Sequence, residues 1–139
     1  MLKLATYTKL RPEEVLERAK RYFLDDQQLT PVELIAHLHS GDAAAEVRLI
    51  GRETGDGSIR IQEEVLWSQI EHLKENFGFE VVHYSLHAHA APNPDIGHLV
   101  VYIRKGAKTE VDFEAHELEY QVQEFAHKLP TVKPPVPVK

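Results

Sequence analysis

The sequence predicts an α+β domain, a mainly antiparallel sheet with amphipathic helices packed on one face. Residues 79–116 alternate apolar and polar side chains in three runs separated by turn signals, the period-two signature of half-buried strands. Residues 12–23, 62–76 and 117–129 instead repeat their apolar side chains at helical spacing. The chain has 139 residues, 42% of them hydrophobic and 27% charged, which suits one domain with a sizeable core.

Taken in order, residues 2–10 alternate Leu2, Leu4 and Thr6 against Lys3, Ala5 and Tyr7, which predicts a strand. Pro12 then fits a first helical turn, and Glu13 and Glu14 complement the positive end of the helix dipole. Val15, Leu16, Ala19, Tyr22 and Phe23 form that helix's apolar stripe, and residues 25–28 are a polar break. Thr30-Pro31-Val32-Glu33 reads as a capping box with proline at the first helical position. A short helix to about His39 is expected there, with His37 and His39 on its surface. Ser40-Gly41-Asp42 is a turn. Residues 46–51 and 58–61 are expected to pair as a hairpin around Thr54-Gly55-Asp56-Gly57, with Ala43–Ala45 compatible with the start of a helix instead.

Residues 62–76 give the clearest helix, with Ile61, Val65, Leu66, Ile70, Leu73 and Phe77 on its stripe and Gly78 at its C-terminal end. Trp67 falls off that stripe. In the strands that follow, Val82, Tyr84, Leu86 and Ala88 are expected on the dry side, as are Leu99, Val101, Ile103, Val111, Phe113 and Ala115. The last helix buries Leu118, Val122, Phe125, Ala126 and Leu129. Residues 1–129 are expected to form the domain, and the proline-rich residues 130–139 an extended tail.

Two segments also resemble a known group. The opening RPEEVLERAKRYF and the closing TEVDFEAHELEYQVQEFAHKL are similar to small uncharacterised bacterial α+β proteins, which run strand, helix, antiparallel strands and a final helix. The likeness covers residues 2–24 and 79–129, so residues 25–76 would be an insertion. It implies a fold and no activity.

Chemistry concentrates on the wet side of the sheet. Pairing His89 with His98 and Arg104 with Glu110 sets His89, His98 and His116 in one row, with His87 and Glu114 one step away. Imidazole and carboxylate donors suit zinc or another transition metal. A solvated or partner-covered face explains the same pattern, and so does a pH-responsive interface. Trp67, Tyr102 and Arg104 are the candidates for contact with a ligand or partner.

His87-Ala88-His89 also resembles the His-apolar-His motif of metal-dependent nucleases that use a tyrosine nucleophile, here Tyr120. No lysine follows Tyr120 in the next turn, which argues against that chemistry. The net charge of −6 without a basic patch disfavours nucleic acid. The chain has no cysteine, which excludes disulfides and thiolate chemistry. Lys3, Lys9 and Arg11 break any apolar leader, and no apolar run suits a membrane span, so a cytoplasmic protein is expected. Two classes remain. One is a non-catalytic binding or assembly module with a protein partner or a homodimer. The other is a metal-binding protein or metal-dependent enzyme using the histidine row.

Overall fold

The computed structural model describes residues 1–50, 52–53, 59–60, 63–90 and 95–132. The elements run β1 (Leu2–Thr8), α1 (Pro12–Ala19), β2 (Thr30–Ser40), β3 (Ala43–Ile50), β4 (Arg52–Glu53), β5 (Ile59–Arg60), α2 (Glu63–Phe77), β6 (Glu80–His89), β7 (His98–Arg104), β8 (Thr109–His116) and α3 (Glu119–Lys128). Six strands form one antiparallel sheet in the order β1-β8-β7-β6-β2-β3, and β4 pairs with β5 apart from it.

The fold is α+β, as the periodicities require. The meander β6-β7-β8 is its centre, and its register is the expected one. His89 pairs with His98, His98 with His116, and Arg104 with Glu110. The dry side collects Tyr84, Leu86, Leu99, Val101, Ile103, Val111 and Phe113, all at most 1% exposed. All three helices lie on that side. Val15, Leu16 and Ala19 of α1 are fully buried in the same core. In α2, Trp67 meets Tyr84 at 6.2 Å, and in α3 Phe125 meets Phe113 at 5.8 Å between ring centroids.

Beyond Ala19 the first helix widens into a π-helix over Lys20–Asp26, where the Gln27 N–H donates to the Tyr22 carbonyl at 2.9 Å. The expected polar break therefore begins later. The wider winding keeps Tyr22 and Phe23 in the core beside Phe125, with ring centroids 5.5 and 5.0 Å from it.

Residues 30–39, expected as a helix, are instead the strand β2, hydrogen-bonded to β3 on one side and β6 on the other. Leu34, Ala36 and Leu38 alternate on the dry side with Glu33, Ile35 and His37 on the wet side, a period of two that competes with the capping signal and wins through two neighbours. Pro31 sits beside a register shift, where its missing N–H breaks no ladder. His37 and His39 are thus strand residues. Ala43–Ala45 begin β3, which pairs with β2 across the Gly41 turn. The expected turn at residues 54–57 lies outside the described residues, as do residues 133–139 of the tail. β4 and β5 pair with each other, Arg52 with Arg60 and Glu53 with Ile59.

One parity expectation fails at the start of β6. Val81 is 4% exposed and Val82 39% exposed, the reverse of the simple alternation. The pairing with β2 shifts between His37 and Leu38. This bulge sets one extra residue, Val82, into β6 and flips the parity before it. Phe77, expected on the buried stripe of α2, is 59% exposed because it is the last helical residue, before Gly78 turns the chain at φ +68°.

Candidate functional site

The wet side of the sheet is covered by no described helix. Cross-strand pairing orders its side chains into rows. One row runs Tyr7, Glu110, Arg104, His83, His37, Glu46 from β1 to β3, and the next runs Ala5, Asp112, Tyr102, Ser85, Ile35, Arg48. A third runs Lys3, Glu114, Val100, His87, Glu33. The fourth holds His116, His98, His89 and Thr30.

The centre of this face is a stack of rings. His37 lies on His83 with centroids 4.9 Å apart and planes 18° from parallel. His83 lies on Tyr102 at 5.6 Å and 21°. His87 meets the edge of Tyr102 at 6.4 Å, and its Nε2 is hydrogen-bonded to the Ser85 hydroxyl at 2.8 Å. The stack buries the His83 Nε2 without a hydrogen-bond partner among the described residues. Burial foremost, with His37 and Arg104 adding positive charge beside it, pushes the His83 imidazole down to about 4. Ser85 and Ile35 are 2% and 7% exposed although no described helix covers them, because the flanking rings and long side chains close over them.

Charged groups rim the stack. Arg104 reaches Glu110 at 3.6 Å and Asp112 at 4.0 Å. Tyr7 donates its hydroxyl proton to Glu110 at 2.8 Å. On the opposite flank Arg48 lies 3.3 Å from Glu33 and 3.0 Å from Glu46. Asp112 is held above the usual carboxylate range, first by burial and then by the adjacent Glu110. A shallow hollow of about 500 Å³ opens above the small side chain of Ala5, between Lys3, Tyr102, Arg104, Asp112 and Glu114.

The structure thus sets five of the named residues, His87, His89, His98, His116 and Glu114, on one face, with Tyr102 and Arg104 beside them. Trp67 stands apart on α2, half-buried against the core, with the Lys20 ammonium 5.6 Å from its ring centre. His89 and His116 are the ends of a row three strands wide, so their backbones stand roughly 9.6 Å apart. Tetrahedral zinc needs its nitrogens within roughly 3.3 Å of one another. The His89 Nδ1 lies 3.2 Å from the Ala90 carbonyl oxygen. Among the described residues, no group of three or more His, Cys, Asp or Glu gathers as a metal ion requires. Tyr120 is 73% exposed on α3, on the side of the sheet opposite His87 and His89, so the sheet separates that hydroxyl from those rings.

Sequence reasoning missed His37, His83, Ile35 and Arg48. The signal for two of them, Ile35 and His37, was the alternation of Glu33, Ile35 and His37 against Leu34, Ala36 and Leu38. No protein-family model, curated protein or solved structure matches the chain. No described helix is long and apolar enough to cross a membrane.

Proposed function

We propose that the chain is a non-catalytic binding or assembly module that docks a protein on the uncovered face of its sheet. The observation that supports this most is the ring stack His37–His83–Tyr102, half-buried at the centre of a face that no described helix covers. An apolar or aromatic centre inside a charged rim is the usual anatomy of a protein interface, and tyrosine is a common anchor in one. The rim here mixes both signs of charge, which suits a protein surface better than a polyanion.

A matched set of variants tests the reading. Tyr102→Glu places a charge at the centre of the face, and Tyr120→Glu places one on the exposed side of α3. Proteins retained by the wild-type chain should be retained by Tyr120→Glu and lost by Tyr102→Glu, with both variants melting as cooperatively as wild type. Equal retention by both variants would refute the proposal.

The register of His89, His98 and His116 favours a second reading, capture of a transition metal by the row. Elemental analysis of protein purified without a polyhistidine tag decides it. One equivalent of metal, lost in the His89→Ala/His98→Ala double variant, supports capture, and a substoichiometric amount unaffected by that variant opposes it.

A further inference from the structure

We propose that β3 pairs along its outer edge with β3 of a second copy, antiparallel and centred on Val47, so that the two sheets become one. This goes beyond the docking role of the wet face, which stays open in such a dimer.

The starting point is an unguarded edge. β3 ends the sheet order, and among the described residues nothing pairs with its outer flank. The other edge strand, β1, receives Thr131 on its outer flank. Strand edges are usually guarded by lysine, proline or a bulge. The eight residues of β3 read Ala-Ala-Ala-Glu-Val-Arg-Leu-Ile, without lysine or proline, and its ladder with β2 runs without a register shift. Ser40 pairs with Ala43 across the two-residue turn, so Ala43 directs its backbone groups towards β2. Ala44, Glu46 and Arg48 therefore direct theirs outwards, a free ladder for a further strand.

The side chains decide which strand fits. A two-fold axis normal to the sheet keeps every side chain on its own face, so the axis passes through one residue of β3. Centred on Glu46 or on Arg48, the pairing sets like charges directly opposite. Centred on Ala45, it is confined to residues 43–47 and leaves Arg48 unopposed. Centred on Val47, it runs from Ala44 to Ile50 and sets Glu46 opposite the partner's Arg48, twice. Glu46 and Arg48 already touch at 3.0 Å within one chain, with side chains 43% and 49% exposed. Docking closes these four charges into a ring of alternating sign. An antiparallel strand that completes the ring must carry an acid two residues before a base on one face, and β3 itself does.

The dry side admits the same approach. A groove of about 590 Å³ lies between residues 46–48 and α2, whose wall there is Ser68, Gln69, His72 and Leu73. That wall holds no carboxylate and no permanent cation, so it sets no like charges against its own copy. A two-fold pairing occupies the β3 edge of both chains, and assembly stops at two.

Sedimentation should show the wild-type chain moving from 15.9 kDa to twice that mass between about 1 and about 200 µM. The chain has no cysteine, so single cysteines report the register. Val47→Cys should cross-link to a dimer under oxidised glutathione faster than Glu46→Cys or Arg48→Cys, because Val47 meets its own copy at the axis. Glu46→Arg and Arg48→Glu should each weaken the dimer about tenfold. Mixed one to one they should associate again, since both pairs across the interface regain opposite charges, and repair of a misfolded variant cannot produce that rescue. A chain that stays monomeric throughout overturns the second copy as occupant, while the wet face is judged separately by its Tyr102 variant. Species that grow beyond the dimer overturn the two-fold closure. Fastest cross-linking through Glu46→Cys or Arg48→Cys, or reversals that fail to rescue each other, overturns the register.

Discussion

His83 is an imidazole kept out of water by two flat neighbours, and its consequence is a dependence of stability on pH. Folded, it takes up a proton only near about 4, whereas the unfolded chain does so near the ordinary value of about 6.5. Its contribution is therefore complete above about pH 6.5 and is lost as pH falls from there towards 4. His83→Phe keeps a ring in the stack and cannot charge. Urea unfolding at pH 7.5 and 4.5 should show the variant gaining on wild type by on the order of 1–2 kcal/mol at the lower pH, a figure reduced for the partial exposure of the ring. A constant difference would mean that another group carries the acid sensitivity. Parity with His87 and His89 puts His83 on the wet face, but nothing in the sequence singles it out. Its special character comes from His37 across the strand, and that residue was assigned to a helix. A wrong element on the neighbouring strand thus hid a property of a correctly placed residue.

At the scale of elements, glycines separate backbone demand from packing demand. Gly41 turns β2 into β3 at φ +56°, and a Cβ there would meet nothing within 4 Å. Gly97 precedes β7 at φ +87°, and a Cβ there would stand 2.9 Å from the Ala90 Cβ and 3.5 Å from Leu118. Gly41→Ala should cost about 1 kcal/mol, the strain alone. Gly97→Ala adds a collision and should cost about 2–4 kcal/mol, read as the difference in urea midpoints. The meander, α2 and α3 were legible because one periodicity dominated each segment. The π-helical segment was not, since Lys20–Asp26 carries no residue that demands a wider turn. Nor was β2, because a proline, a threonine and a glutamate at residues 30–33 fit a helix start locally, and only β3 and β6 on its flanks decide otherwise. The two bulges have the same origin. They are set by how β2 and β6 meet, and neither strand alone specifies them.

At the scale of the whole molecule, the two ends of the chain meet on β1. Thr131 bridges Thr8, the Val132 N–H donates to the Tyr7 carbonyl at 2.9 Å, and the buried Thr8 hydroxyl donates to the Pro130 carbonyl at 2.8 Å. Thr8→Val preserves the shape and removes that hydroxyl, which also accepts from the Leu10 N–H at 3.3 Å. The loss should be about 1–3 kcal/mol in equilibrium unfolding, and a neutral result would show that the contact adds nothing. Of the proline-rich residues 130–139, residues 133–139 lie outside the described residues, and Thr131 and Val132 lie along β1. What the sequence could not reveal is that the outer flank of the opening strand receives them. On its inner flank β1 pairs with β8, Leu2 with Ala115 through Thr8 with Thr109. During translation, β1 leaves the ribosome long before either neighbour has been synthesised. The growing polypeptide must hold that strand unpaired while the meander is assembled, so the sheet closes late and slowly. A ribosome stalled before residue 109 would display a β1 with nothing to bind, a target for chaperones that the finished protein conceals.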